Sequence, residues 1–149
     1  MIKMINMKKV ISIIIYTAQF AFAQAPDVAW TRNYGGNSYD FGNSVKQTFD
    51  GGFIIAGSTE SNGAGDKDVW LIRTDSLGNV LWSKTFGGTN LDEGTSVWQN
   101  SDGGFIITGQ SRSFPADSVD ILLIRTDELG NALWIKLYGG PSFQIGTCV

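Results

Sequence analysis

Tryptophan recurs at a fixed interval in this chain: Trp30, Trp82 and Trp134 are each 52 residues apart. Residues 30–81 align without a gap on residues 82–133, and 27 of the 52 positions are identical. A period near fifty residues is typical of repeat architectures, in which one supersecondary unit recurs and neighbouring units bury each other. The regular spacing of the three tryptophans therefore predicts that they pack between units, in preference to stacking on sugars.

Turn signals divide each unit into four short segments. In the first unit we predict strands at 44–49, 53–58, 68–73 and 80–86. Asp-Gly-Gly joins the first two, because Asp and Gly tolerate the positive φ of tight hairpins. The structural turn residues are the hairpin set Asp50, Gly51, Gly52, Asp102, Gly103 and Gly104, the later set Asp75, Gly78, Asp127 and Gly130, and the paired glycines Gly35, Gly36, Gly87 and Gly88.

Continuous apolar runs decide the architecture. Residues 53–56 read FIIA and residues 69–72 read VWLI, without polar alternation. A strand that is apolar at consecutive positions is buried on both faces. Short strands of this kind predict an all-β fold of four-stranded meander blades, stacked as in a β-propeller. A helical fold is excluded by the regular glycines and β-branched residues, and a single β-sandwich does not require a 52-residue period.

The repeat sets the expected domain organisation. We predict a signal peptide at residues 1–23 and a partial β-propeller of about two blades plus flanking strands at residues 24–149. The predicted propeller begins with a closing-type segment at 28–36, whose strand is expected at 28–34. Repeat one follows at 37–88, repeat two at 89–140 and the start of a third at 141–149. Because propellers usually have four to eight blades, we expect either a fragment of a longer repeat protein or several copies that close a ring.

The N-terminal residues have the pattern of an export signal. Lys3, Lys8 and Lys9 precede an apolar stretch at 10–23, and Ala-Phe-Ala at 21–23 places cleavage before Gln24. An uncleaved anchor is the alternative, but this stretch falls short of the roughly 20 residues of a membrane span. We expect a secreted or cell-surface chain with no membrane span after cleavage. Because cleavage removes only positive charges from an already acidic chain, nucleic acid is not an expected partner.

The recurring motif resembles a known group of repeats. It reads W-x-x-x-[YF]-G-G, then D-G-G-F-I-I, then D-x-x-L-I-R-T-D-x-x-G-N-x-x-W, and it covers residues 29–140. This is similar to the β-propeller repeats of secreted bacterial proteins, of the kind found in large surface proteins of bacteria that use type IX secretion. It is more distantly similar to pyrroloquinoline-quinone-type propellers, where a turn glycine precedes a docking tryptophan, as at Gly78 and Trp82. The interval from Asp75 to Gly78 is one residue shorter than in that family.

Candidate catalytic side chains are few. The sequence contains no His, the commonest general base, and Cys148 is the single cysteine, expected to be an inert thiol. Repeated acids occupy equivalent environments, whereas a catalytic pair needs two different ones; we therefore assign them structural roles. Asp66 and Asp68 are weak calcium candidates because carboxylates and loop carbonyls suit that ion. No cofactor is expected.

Three further sets of side chains have competing interpretations. Arg73 and Arg125 occupy matching third-strand positions, where an ion pair with a nearby Asp is preferred over a ring of cations lining a channel. Trp70 and Trp98 are not repeated, which makes them candidates for a ligand surface. The variable loops at 59–67 and 111–119 are the expected contact surface, since loops on rigid scaffolds commonly bind.

The predicted function is non-catalytic binding or scaffolding by a propeller segment, with a protein or glycan at the cell surface as the partner. The alternative is part of a propeller enzyme, either a quinone-dependent dehydrogenase or a glycan-active hydrolase or lyase. That alternative depends on fold analogy, and propellers host many functions. A third hypothesis is a remnant without independent activity. If the chain is not a fragment, a homo-oligomer is expected.

Overall fold

The computed structural model describes residues 28–113, 119–140 and 146–149. The described chain is all-β and contains two four-stranded antiparallel sheets, in each of which sequence neighbours pair in order. The first sheet consists of β1 (Asp40–Gln47), β2 (Phe53–Thr59), β3 (Asp68–Thr74) and β4 (Val80–Phe86), and the second of β5 (Asp92–Gln99), β6 (Phe105–Ser111), β7 (Asp120–Thr126) and β8 (Ala132–Tyr138). The predicted all-β class and the four-stranded meander units are confirmed. The signal-peptide prediction at 1–23 lies outside the described residues.

No helix long and apolar enough to cross a membrane is found in the described parts of the chain.

The first strand of the unit is the one whose predicted bounds differ most. β1 begins at Asp40 and ends at Gln47, whereas the sequence predicts 44–49. Its early residues pair with the end of β2 through Asp40 and Thr59, and a register shift between Gly42 and Ser44 accommodates the change. β1 ends before the hairpin because Thr48 already belongs to the turn, accepting a hydrogen bond from Gly51 N at 2.9 Å.

The two sheets stack with unlike faces together. Ile54, Ala56, Val69 and Leu71 of the first sheet form one buried cluster with residues of the second, namely Val97, Phe105, Ile107, Leu122 and Ile124. Phe105 and Ile107 are the repeat equivalents of Phe53 and Ile55, which point to the opposite face of the first sheet from Ile54. The joint is therefore head-to-tail: one face of a unit meets the other face of the next unit.

Residues 28–36 form no regular strand, in contrast to the strand expected at 28–34. Among the described residues no strand pairs with this segment, which contacts the first sheet through the Trp30 and Tyr34 side chains and through Gly36 N. Trp30 contacts Phe53 with ring centroids 5.8 Å apart, which is also the separation of Trp82 from Phe105. The segment thus lies on the first sheet as β4 lies on the second.

The C-terminal segment repeats this arrangement at the other end. Gly146 N donates to Gly109 O at 3.3 Å, and Thr95 Oγ1 donates to Gly146 O. One unit earlier, Asn43 Nδ2 donates to Gly94 O at 2.9 Å. Because Gly94 and Gly146 are 52 residues apart, residues 146–149 lie on the second sheet as the beginning of β5 lies on the first.

Candidate functional site

Each hairpin turn binds an arginine from the third strand of its own sheet. Arg73 pairs with Asp50, and its guanidinium also donates to Phe53 O at 3.3 Å and to Thr74 O. The Arg73 side chain is 7% exposed, whereas that of Asp50 is 64% exposed. The ion pair expected from the sequence is therefore formed, and this arginine fastens the hairpin to the sheet.

The second sheet contains the same pair, Arg125 with Asp102, and Arg125 also donates to Phe105 O at 3.2 Å. The Arg125 hydrogen bond is the main cause that lowers the pKa of Asp102 below its ordinary value. For Asp50, the hydrogen bond from Thr48 is the leading cause of a lowered pKa, with Arg73 acting in the same direction. Neither arginine is free to form part of a cation ring.

The turn before the fourth strand is built on one carboxylate. Asp75 Oδ1 accepts hydrogen bonds from Leu77 N at 2.9 Å and Asn79 N at 2.8 Å, and Oδ2 accepts from the Asn79 side chain. The side-chain bond from Asn79 leads the causes that lower the pKa of Asp75. Asp127 makes the same contacts with Leu129 and Asn131. These acids therefore stabilise turns.

The glycines in these turns have two different reasons for lacking a side chain. Gly51 and Gly103 adopt φ of 83° and 86° in the hairpins. Gly78 and Gly130 adopt φ of 76° and 78°, and they also lie against tryptophan. A Cβ on Gly130 would be 2.8 Å from the Trp82 ring.

The paired glycines bind the acid that opens the next unit. Gly36 N donates to Asp40 Oδ2, and Gly88 N donates to Asp92 Oδ2, each at 2.8 Å. Burial acts to raise the pKa of Asp40, but its hydrogen bonds, led by that from Thr59, outweigh burial and lower the pKa below its ordinary value.

The two weak calcium candidates lie in different surroundings. Asp66 is exposed on the β2–β3 loop, whereas Asp68 is buried at the start of β3 and accepts a hydrogen bond from Ala64 N at 2.6 Å. Among the described residues, no group of three or more His, Cys, Asp or Glu side chains could bind a metal. Asp66 and Asp68 do not therefore constitute a carboxylate-rich calcium cage.

The three periodic tryptophans differ in burial because they lie at different depths in the stack. Trp82 is half-buried and packs against the cluster between the sheets. Trp134 on β8 is 37% exposed, with Lys136 Nζ 5.1 Å from its ring centroid. Trp30 covers the opposite end of the stack. The periodic tryptophans therefore act in packing wherever a neighbouring sheet covers them.

The more exposed of the two non-repeated tryptophans lies on β5, beside β1 of the first sheet. Trp98 is 52% exposed on β5, and the Lys46 Nζ on β1 lies 5.9 Å from its ring centroid. Asn43 Nδ2 donates to Glu93 Oε1 at 2.9 Å across the same two strands. We call these four residues the inner-strand surface. It combines an accessible ring, a cation and an acid–amide pair, which are groups that bind polar ligands with an apolar face.

Trp70, the other non-repeated tryptophan, is less accessible. It is half-buried on β3, and its Nε1 donates to Ser83 Oγ at 2.7 Å. This hydrogen bond satisfies the indole N–H within the sheet. The sequence identified Trp70 and Trp98 as equal candidates, and the structure favours Trp98.

Lys46, Asn43 and Glu93 were not identified as members of a site from the sequence. Their signal is available in the repeat, since Lys46 stands where the second unit has Trp98, and Glu93 where the first has Phe41. These departures from the repeat lie on two neighbouring strands, β1 and β5.

Two concave regions accompany these surfaces. A groove of about 420 Å³ on the open face of the first sheet is lined by Trp30, Val45, Phe53 and Ile55. On the second sheet, the equivalents of Phe53 and Ile55 are buried beneath the first sheet, so this groove is the place where a preceding unit would pack. A second groove of about 490 Å³ lies between the sheets near the hairpin turns.

The remaining sequence candidates are peripheral. The β2–β3 loop is exposed from residue 62 to residue 66. Most of its equivalent in the second unit, residues 114–118, lies outside the described residues. Cys148 is exposed near the C-terminus.

Comparison with known proteins gives a limited match. No protein-family model matches the sequence. The chain is similar to the regulatory protein FlaEY of Caulobacter vibrioides, with 27% identity over 113 residues. The match covers 65% of this chain and 12% of that protein, so the chain spans about an eighth of the length of this curated relative.

Proposed function

We propose that this chain is a segment of a β-propeller that acts outside the cell or at its surface by binding, without catalysis. In this proposal the segment is part of a longer repeat protein, and its partner is a protein or a glycan. The inner-strand surface and the exposed β2–β3 loop are the contact regions.

The head-to-tail joint between the sheets is the observation that carries the propeller proposal. A unit buries one face against its successor and leaves the unlike face for its predecessor. Such a joint can be repeated with the same geometry, and a constant rotation at each step closes a ring. The Trp30 segment and residues 146–149 support the proposal, because each lies where a neighbouring unit would place its equivalent.

Binding is favoured over catalysis by what the repeated polar side chains do. Asp50, Asp75 and Arg73 are committed to turn and hairpin contacts that recur in the second unit. The accessible Trp98 and Lys46 differ between units and can therefore change without loss of the scaffold. An exposed aromatic ring beside a cation is a recurrent way to bind sugars and peptides.

The similarity to FlaEY is compatible with this proposal. A repeat shared by the two proteins would produce a match that covers a small part of the longer one. That protein is described as regulatory, and a regulatory role can be exercised through contact alone.

The binding proposal is tested by screening the purified chain on a glycan array and against surface proteins of the cells that produce it. Trp98→Ala should abolish the binding found, whereas Trp70→Ala should retain it, since Trp70 is fixed within its sheet. Thermal melting verifies that both variants are folded. Binding that survives Trp98→Ala together with Lys46→Ala would exclude the inner-strand surface. Polysaccharide cleavage, or dye reduction with added pyrroloquinoline quinone, would support the enzyme alternative.

The propeller proposal has a separate test. A chain in which residues 89–140 are duplicated in tandem should be more stable than the starting chain, because the added unit covers the open face of the second sheet. Equal or lower stability in denaturant melts would contradict repeatable stacking.

A further inference from the structure

We propose that a divalent cation binds between the two sheets, coordinated by Asp68 and Asp92. Asp68 begins β3 of the first sheet and Asp92 begins β5 of the second. A cation at this position would join consecutive units, which goes beyond the binding function proposed above.

The two carboxylates converge on one glycine. The position that a Cβ would take on Gly87 is 2.0 Å from Asp68 Oδ1 and 2.6 Å from Asp92 Oδ2. The two oxygens can therefore be no farther apart than these distances added together, which is a spacing that one metal ion can bridge. Only glycine leaves room between the two acids.

Both acids are buried and each has an oxygen without a donor. Asp68 is 2% exposed and Asp92 is 0% exposed. Among the described residues, Asp68 Oδ1 and Asp92 Oδ1 are buried without a hydrogen-bond partner. The other oxygens have donors: Asp68 Oδ2 accepts from Ala64 N, and Asp92 Oδ2, the oxygen that approaches Gly87, accepts from Gly88 N and Ser113 Oγ. Where the two carboxylates converge, the unsatisfied oxygen is therefore Asp68 Oδ1.

The first unit provides an internal comparison. Asp40 is the repeat equivalent of Asp92, and both of its oxygens have donors: Thr59 Oγ1 bonds Oδ1, while Gly36 N and Ser61 Oγ bond Oδ2. No third-strand carboxylate is described beside Asp40. The second unit differs at the donor: Ser111 stands at the position equivalent to Thr59, and Asp92 Oδ1 receives no hydrogen bond from it.

A positive charge at this place would stabilise the ionised form of both acids. Neither Asp68 nor Asp92 is within ion-pair distance of a Lys or Arg in the described parts of the chain, where the recorded pairs are Lys67–Glu60, Arg73–Asp50 and Arg125–Asp102. Two buried like charges this close are costly unless a cation compensates them. A divalent ion balances both.

The ligand atoms select the class of cation. Carboxylate oxygens favour hard ions such as Ca²⁺ and Mg²⁺, and Ca²⁺ tolerates irregular geometry with carbonyl and water ligands. Two protein carboxylates predict weak binding, with a Kd on the order of 10⁻⁴–10⁻³ M, as in extracellular calcium modules. The preferred ion is therefore Ca²⁺.

The test is a Ca²⁺ titration of the purified, chelator-treated chain, followed by thermal melting. At ten times the Kd we expect Tm to rise by about 3–6 °C. The rise should be lost in Asp68→Asn and in Asp92→Asn. Asp40→Asn is the matched control and should retain it, because in the described parts of the chain no third-strand carboxylate lies beside Asp40 to share an ion.

Three results would overturn the proposal. They are no change in Tm with Ca²⁺, Mg²⁺ or Mn²⁺, a Ca²⁺ response that persists in both variants, and an equal loss in Asp40→Asn. If neither Asp68→Asn nor Asp92→Asn folds, equilibrium dialysis of the wild-type chain against Ca²⁺ measures whether the ion binds. One ion per chain supports the site, and no bound ion refutes it.

Discussion

Trp82 of the first sheet packs edge-on against Phe105 of the second, with ring centroids 5.8 Å apart and ring planes inclined by 68°. Phe105 is 1% exposed. Trp30 and Phe53 repeat the pair one unit earlier, with planes inclined by 62°. The repeated indole is therefore the residue by which a unit reaches the next one, and its value to stability depends on whether that next unit is present.

We predict that Trp82→Ala lowers the free energy of unfolding by about 3 kcal/mol, the low end for a core tryptophan because the ring is half-buried. Trp134→Ala is the matched control, since Trp134 lies at the open end of the stack, and it should cost less than half as much. Denaturant unfolding measures both. Equal losses would mean that the joint between the sheets does not depend on the indole.

Gly130→Ala should destabilise the chain more than Gly51→Ala. Both glycines have positive φ, which costs an L-residue roughly 1–2 kcal/mol. A Cβ on Gly51 meets nothing within 4 Å, whereas one on Gly130 meets Trp82 at 2.8 Å. The difference between the two variants in thermal melts reports the crowding of Gly130 against Trp82 and the Lys84 side chain, and identical melts would refute it.

Arg73→Lys should cost about 1–3 kcal/mol, because one ammonium cannot replace a guanidinium that bonds Asp50 and two backbone carbonyls. Arg125→Lys should behave similarly, because it removes the same contacts from the second sheet. Lys84→Arg, an exchange of the same kind on an exposed contact, should leave the denaturation midpoint unchanged. A neutral Arg73→Lys would show that the hairpin is stable without the guanidinium.

Stability should fall in acid because several aspartates have a lowered folded-state pKa. For Asp75 and Asp127 the leading cause is the hydrogen bond from the Asn79 or Asn131 side chain, which favours the ionised form. Their contribution is complete above the unfolded value of 3.8 and is lost as pH falls through the lower folded value.

Asp75→Asn with Asp127→Asn provides the measurement. The stability gap between this double variant and the wild-type chain should be largest above about pH 4 and should close towards pH 2. A gap that is constant over this range would show that the turn carboxylates do not act through their charge.

The export prediction is tested by N-terminal sequencing of the chain recovered from outside the producing cells. The expected first residue is Gln24. Replacement of Ala21 and Ala23 by larger residues should block cleavage, since the cleavage site requires small side chains. A recovered chain that begins at Met1 would refute processing.

Much of the sheet architecture could be predicted from the sequence because the repeat shows every signal twice. The predicted strand 80–86 coincides with β4, and the strands predicted at 53–58 and 68–73 are each extended by one residue in β2 and β3. Continuous apolar runs identified the sheet interiors, since pairing and burial act on the same residues there.

The errors occur where pairing partners override local preference. Asp40–Asn43 contains Gly42 and polar residues with low strand propensity, yet it joins β1 because Thr59 and its neighbours offer an unpaired edge. Residues 28–34 have a strand-like sequence, but no strand of the described residues pairs with them. Strand propensity alone gave no sign of either outcome.

The candidate site was predicted less well, because it depends on which side chains meet across the two sheets. Trp98 was identified because the first unit has no tryptophan at the equivalent position. Its approach to Lys46, however, depends on how β1 and β5 lie together. The convergence of Asp68 and Asp92 likewise requires the position of Gly87 between them. Contacts of this kind, between residues far apart in the chain, cannot be predicted from the spacing of residues along one strand.

The joining of unlike faces has a consequence for how such proteins can evolve. Tandem duplication of 52 codons inserts a unit whose two surfaces already match those of its neighbours, so no new joint has to be selected. If like faces packed together, two units would cover each other and leave no matching face for a third unit. Here each added unit re-creates the surface that it covers, and gene length can change in whole steps while every boundary stays the same.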